Sequence, residues 1–456
     1  MSETIEKAGD VFVEQLYIVS STGKFSDVRS FAREINLYES IYNPTLSGSL
    51  VITDNLNLFK ELGILGDEFL VMKIRTPGFE HVDSIQKTFK IYSVSNRIIV
   101  DQATQVYTLN FISIEGINDV LNNLHKPYEG TIADIVSDIY ENELAVSRNL
   151  FVNQDNEGSI SLLEDSEKTE LVIIEEPTNS VKFISPGWTP TKCLNWLASK
   201  SLSGEKSSCS YFFWESNKKF YFGSIEKIFE IGNASEVYSI GTYRYFPPGS
   251  ISNDDVNIKM FHIEKITSAR SFDTLESIMN GHAGSRLIEL DIMKKEYREN
   301  LYIYSQEFVK QKHSVSELFD PLPLIPKDSY NPYLVTKVYP VQKGLFSNIS
   351  DNVNEKMKEI YSNRISTVNN LRYLTFEITV PGRTNVEVGS ILDLVLPDTS
   401  PVDENDLTSN KQDEILSGKY LITKIRHKIS SMNNEVRHFM IMEVIKDSFV
   451  GEVSVY

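Results

Sequence analysis

The chain is poor in the residues and runs that announce chemistry. Two cysteines in 456 residues, Cys193 and Cys209, are too few for a disulfide framework. Cys193 stands among Leu194, Trp196 and Leu197, which reads as a buried free thiol. No long apolar run is present: Phe69 to Met72 and Ile98 to Val100 fall far short of the roughly 20 residues that span a bilayer. The opening MSETIEKAGD lacks a signal-peptide core, so no membrane insertion and a cytosolic origin are expected. Basic charge is scarce, 45 Lys and Arg against 63 Asp and Glu, and the net charge of -18 argues against a face that grips duplex phosphates.

Catalytic and ligand-binding spacings are missing too. Seven histidines (His81, His125, His262, His282, His313, His427 and His438) form no HExxH, HxH or Cys-His cluster, so no metal is expected. His427 and His438 lie on one hairpin, where a structural pair is the expected role. The segment MNGHAGSRL from Met279 has glycines without a phosphate-cradle spacing, and no GxSxG elbow occurs. Acidic pairs at Glu175-Glu176 and Asp254-Asp255 read as solvated, and Trp188, Trp196 and Trp214 as core residues. No catalytic residue and no cofactor is assigned, and the chain is read as a non-enzyme.

What is present is strand material. With 22 Tyr and 24 Phe the composition favours β-structure, and the length suits two or three cores of about 100 to 200 residues each. Residues 1–115 alternate with period two in VFVEQLYIVS, SLVITD, EFLVMKI, TFKIYSV and VYTLNFI, interrupted by one short helix in NLNLFKELGILG that Gly63 stops. Residues 116–235 mix helices and strands. Ile117, Val120, Leu121 and Leu124 keep helical spacing, as do Ile132, Ile135, Val136 and Ile139 behind a Thr131 cap; Thr189 and Pro190 open another helix ahead of the aromatic hairpin SYFFWE and KKFYFGSI. DNEGSISLLEDSEKTE from Asp155 reads as a polar surface loop. Residues 236–350 read as an elaborated connection with strands near FHIEKITSARS and LIELDIMKKEY and a proline-rich stretch, DPLPLIPKDSYNPY. Residues 351–456 read as a helix to about 370 followed by a second β domain.

An internal repeat carries the fold assignment. KTFKIYSVSNRII from Lys87 matches GKYLITKIRHKIS from Gly418, with Phe89 on Tyr420, Ile91 on Ile422, Val94 on Ile425 and Ile98 on Ile429. QVYTLNFI from Gln105 then matches EVRHFMIM from Glu435, with Leu109 on Phe439 and Phe111 on Ile441. Each hairpin follows a strand introduced by glycine, at Gly66 and Gly389. The expected fold class is therefore α+β and β-rich: two tube-protein-like antiparallel β-barrel or sandwich domains with an α/β insert between them. Such subunits suit a ring in which neighbours close each other's strand edges.

Four stretches carry a family resemblance. ESIYNPTLSGSLVITDNLNLFKEL from Glu39, YTLNFISIEGINDVLNNLHKPYEGTIADIVSDIY from Tyr107, PGWTPTKCLNWLASKS with SYFFWESNKKFYFGSIEKI, and GKYLITKIRHKISSMNNEVRHFMIMEVI resemble, in that order, the baseplate hub proteins of T-even-like contractile-tailed bacteriophages. Those hubs are distantly similar to late-control D hubs and the N-terminal regions of type VI secretion spikes. The resemblance implies a homotrimer whose six tube-like domains form a pseudo-sixfold ring, joining a threefold central spike to a sixfold tail tube or tube initiator, with wedge or tape-measure proteins as further partners. It implies a virion protein of the tail baseplate, assembled in the host bacterial cytoplasm, with DNA passing through the channel without specific binding; the net charge of -18 separately motivates the expectation that an acidic wall repels phosphate. A different tail component, such as a spike base, or a phage-delivered cell-wall enzyme are the competing readings. Ring contacts are expected at Tyr38, Tyr42, Pro44 and Leu46 in the YESIYNPTL turn, and at Tyr420, Ile422, His438 and Met440 on the closing hairpin.

Overall fold

A computed structural model describes residues 5–21, 23–78, 84–146, 149–154, 160–165, 168–203, 208–234, 239–246, 256–270, 273–281, 284–303, 335–341, 353–371, 374–398, 412–413, 415–432 and 435–446. The proline-rich stretch near 320–333, most of the acidic segment 401–414, His81, His282, His313 and Asp254-Asp255 lie outside them.

The first β unit holds Phe12–Val19 (β1), Phe25–Asp27 (β2), Ala32–Ser40 (β3), Ser47–Asp54 (β4), Phe69–Arg75 (β5), Ile85–Ile99 (β6) and Gln105–Ser113 (β7). Alternation places its core: along β4, Gly48, Leu50, Ile52 and Asp54 are buried while their neighbours are half-buried. The expected helix shrinks to one π-type turn at Phe59–Gly63, with Leu58 and Leu62 buried.

Beyond β7, helices Ile114–Leu121, Ile132–Ile139 and Pro190–Ala198 alternate with Pro127–Thr131 (β8), Asn149–Gln154 (β9), Ile160–Asp165 (β10), Leu171–Ile173 (β11), Ser180–Ile184 (β12), Tyr211–Glu215 (β13) and Phe220–Ser224 (β14). Both expected caps form: Asp134 N donates to Thr131 Oγ1 at 3.2 Å and Lys192 N to Thr189 Oγ1 at 3.4 Å, with Pro190 in the first turn. Cys193 and Cys209 are free and buried; the apolar surroundings push the Cys193 thiol up to about 12, which leaves it inert as a nucleophile. Two expectations fail in this region. The acidic segment after Asp155 is not a loop throughout, since β10 pairs with β9 along six residues. Helix Ile114–Leu121 turns Val120 and Leu121 outward and buries Glu115 and Gly116 instead, because its contacts are with β6 and β7.

The remaining elements are helix Ile225–Ala234, Ser239–Arg244 (β15), helix Val256–Met260, Lys265–Arg270 (β16), helix Thr274–Met279, Gly284–Asp291 (β17), Glu296–Ile303 (β18), Val335–Val341 (β19), helix Val353–Leu371, Leu374–Pro381 (β20), Ile391–Val395 (β21), Gly418–Met432 (β22) and Glu435–Lys446 (β23). They sort differently from the chain order. β15 and β16 join the last four strands, whereas β17 and β19 send Leu287 and Val341, and the long helix sends Met357 and Ile360, into the core of the α/β insert. The second β core thus draws on Ile225, Ile228 and Phe229 of the preceding helix as well as on β15, and the long helix divides, with Met357 and Ile360 in the insert's core and Leu371 in the second β core. Arg364 on that helix fixes the docking, donating to Cys209 O at 2.8 Å and Ala198 O at 3.4 Å.

Both β units belong to one 13-stranded sheet among the described residues, in the order β16-β20-β23-β22-β3-β4-β7-β6-β5-β1-β2, with β21 on β22 and β15 on β21. The repeat is real. Each hairpin has a bulge at the equivalent place, between Ile91 and Ser93 in β6 and between Ile422 and Lys424 in β22. Leu70 pairs with Phe89 as Leu392 pairs with Tyr420, and Gly66 and Gly389, with φ of 107° and 86°, turn the chain in a conformation L side chains rarely adopt. The second-strand match shifts, however. Ile91 opposes Phe111 and Ile422 opposes Val444, so Phe111 corresponds to Val444 rather than Ile441, three residues further on. An odd slip moves a strand to its other face, and burial agrees: Phe111 and Val444 are interior while Ile441 is half-buried.

Candidate functional site

The two β units meet along one seam, where the outer half of β22 pairs antiparallel with β3 from Lys424 opposite Ser40 to Ser430 opposite Glu34. Alternation gives the seam two faces. Inward, Ile425 joins the second core, while Ile429, 3% exposed, crosses into the first core opposite Ile35. Outward, Glu34 receives Lys428 at 3.2 Å and Arg426 at 3.4 Å, and Arg426 Nε donates to Asn36 Oδ1 at 2.9 Å. Burial works to raise the Glu34 carboxyl, but the Asn36 amide and the two cations outweigh it and hold it below the ordinary carboxylate value.

Buried polar groups brace the seam. Glu39 Oε1, at the end of β3, stands 3.3 Å from His427 Nε2, off the line for a hydrogen bond, and Val388 N donates to its other oxygen at 3.4 Å. His427 Nδ1 lies 3.1 Å from His438 Nε2, so the two imidazoles form the structural pair expected of them. Burial, then the neighbouring imidazole, drives His438 well below the usual histidine value and keeps it neutral. Thr76 and Thr384 exchange backbone-to-hydroxyl hydrogen bonds of 3.2 and 3.0 Å between the two units.

A second brace ties the insert to the first unit. Glu215, at the end of β13, accepts from Lys87 of β6 and from Leu46 N at 2.7 Å, with both charged groups buried. Burial alone would lower the Lys87 ammonium, but the Glu215 and Glu115 carboxylates hold it above its usual value. Burial raises Glu115 beside it. The sequence offered no sign of this pair, because its partners stand far apart in the chain and each sits in an ordinary strand.

The expected contact residues divide. Tyr38 is 40% exposed on the outward face, with the Arg426 guanidinium 5.9 Å from its ring centroid. Tyr42 and Pro44 are half-buried, Tyr42 edge-on to Phe212 at 5.7 Å. The side chains of Leu46, Tyr420, Ile422, His438 and Met440 are interior to the chain. The reason is topological: β22 is not an edge strand, being paired with β23 on one side and with β21 and β3 on the other. The apolar surface lies instead at the tip of the other hairpin, where Ile98, Ile99 and Val100 are 62%, 76% and 62% exposed. A sequence signal existed for it: three consecutive apolar residues break the strand's alternation. Among the described residues no group of three or more His, Cys, Asp or Glu is placed to hold a metal ion, and no helix is long and apolar enough to cross a membrane.

The fold resembles that of solved phage tail proteins. The chain matches the tail protein from Neisseria meningitidis MC58 with a TM-score of 0.50 over 96% of this chain and 97% of that one, at 13% identity. It matches the 43 kDa tail protein of prophage MuSo2 from Shewanella oneidensis with a TM-score of 0.50 over 95% and 98%, at 10% identity. An Escherichia coli component of the type VI secretion system aligns over 97% of this chain and 79% of its own with a TM-score of 0.41 at 8% identity. No protein-family model matches the sequence, and no curated protein matches it.

Proposed function

We propose that the chain is the structural hub of a contractile-tail baseplate: a homotrimer whose six β units form a pseudo-sixfold ring between a threefold spike and a sixfold tube. The observation that carries the reading is the duplicated β unit. One chain supplies two similar β units that share the bulge at Ile91/Ser93 and Ile422/Lys424, already joined edge to edge as ring neighbours would be. Three chains then present six domains outward to a tube and three inserts to a spike, which is what a symmetry adaptor must do. The tail-protein fold over nearly the whole length supports the same reading. The role is mechanical, without turnover, and the net charge of -18 suits a channel that DNA traverses without adhering.

Mass measurement and electron microscopy of the purified chain test this. Three chains of 52.0 kDa give a 156 kDa particle, and six similar lobes around a central channel are expected. A particle that remains a single chain at high concentration, or hydrolysis of peptidoglycan by the pure protein, would overturn it.

A further inference from the structure

Among the described strands, the repeat fills one strand edge within the chain and leaves its counterpart open. The far side of the outer half of β22 is covered by β3, and Ile429 is buried against Ile35. In the other hairpin, β5 ends at Phe69 opposite Lys90, and from Ser93 to Ile99 β6 pairs with β7 alone among the described strands. An extra bulge between Ser95 and Ile98, with Asn96 at a φ of 52°, moves the register by one residue. Ile99, opposite Gln105, therefore takes the place that Ile429, opposite His438, holds in the second hairpin. Yet Ile99 is 76% exposed where Ile429 is 3%.

The missing neighbour also has a counterpart. β3 lies beyond β4, and β16 lies beyond β20 at the end of the sheet. Ile35 opposes Leu50, which opposes Leu109; Ile266 opposes Ile378, which opposes Met442, and Leu109 corresponds to Met442. Ile266 is thus the equivalent of Ile35, and it is half-buried against the second core, with no strand beyond β16 among the described residues. A long apolar strand edge left open invites pairing, and the chain itself shows what covers it.

We infer that the outer half of β6 in one chain pairs antiparallel with β16 of a second copy, placing Ile99 opposite Ile266 as Ile429 lies opposite Ile35. The contact is head-to-tail, so each copy offers one edge and receives another, and seams within and between chains alternate around a closed ring. The number of copies rests on the hub reading; the seam rests on the repeat.

Cysteines at Ile99→Cys and Ile266→Cys in one full-length chain test it, since facing residues of antiparallel strands stand about 4.5–5.5 Å apart, within disulfide reach. The two native cysteines are buried and give no background. Mild oxidation of the double variant should link most chains into dimers and trimers on a non-reducing gel, at least about tenfold more than either single variant, each of which lacks the opposing thiol. Ile99→Asp, at an exposed position that leaves folding intact, should weaken self-association by at least about tenfold. A 156 kDa particle that does not cross-link and tolerates Ile99→Asp would overturn the seam and leave the hub standing. A folded single chain without cross-links would overturn both.

Discussion

The two hairpins, β6 with β7 and β22 with β23, are built alike and finished differently. Both carry the bulge and both present an isoleucine at the equivalent register, Ile99 opposite Gln105 and Ile429 opposite His438. In the second, that isoleucine is sealed by β3 and a buried His427–His438 pair lies beneath it; in the first it stands in solvent. At the other end the asymmetry reverses. The first hairpin is pinned by the buried Lys87–Glu215 pair, where the second has Gly418 in the equivalent place. One plan used twice thus yields an internal joint and, among the described strands, an open one, and the difference lies in what packs beside each hairpin rather than in its own alternation.

The comparison can be broken at several points. The largest effect should come from Glu215→Ala, which strands the Lys87 ammonium without its partner and should cost about 3–5 kcal/mol in denaturant unfolding. Next, Ile429→Ala should cost about 2–5 kcal/mol through the lost apolar contact and the cavity, whereas Ile99→Ala should change the stability of the single chain by less than about 0.5 kcal/mol. Equal losses at the two sites would show that the hairpins are not differently packed.

A pH series sharpens the contrast further. His438 is depressed in the folded chain, with His427 facing it and Glu39 behind, so the unfolded chain binds the proton more readily. Its contribution is complete above the unfolded value near 6.5 and is lost as pH falls below it, at up to about 1.4 kcal/mol per pH unit. His438→Gln should flatten that slope between about pH 6.5 and 5. Smallest is the bulge: Thr423, whose hydroxyl reaches Glu443 Oε1 at 2.8 Å, should lose about 1 kcal/mol as Thr423→Val. Its counterpart Tyr92, which is exposed, should be insensitive to the same change.

Much of this was legible in one dimension. Caps at Thr131 and Thr189, the aromatic hairpin turning at Ser216, and the repeat itself follow from local propensity and period, which act over a few residues. The second-strand match went astray because the turns differ, five residues from Val100 to Thr104 against two between Met432 and Glu435, and matched alternation tolerates a wrong shift. The contact residues were misplaced for a related reason. Tyr420 and Ile422 look like a strand edge until β21 is found beside the start of β22 and β3 beside its outer half, while His438 and Met440 lie on β23, enclosed between β22 and β20.

By itself, the sequence determined the strands, the capped helices, the duplicated unit and the absence of recognisable catalytic spacings, since each depends on side-chain type and local period. Only the tertiary structure decided that the long helix sends Met357 and Ile360 into the insert's core, that Glu215 holds Lys87, and that one hairpin is sealed while its twin is open among the described strands. Those outcomes depend on which distant surfaces meet, and an apolar residue such as Ile99 reads the same along the chain whether a neighbour covers it or not.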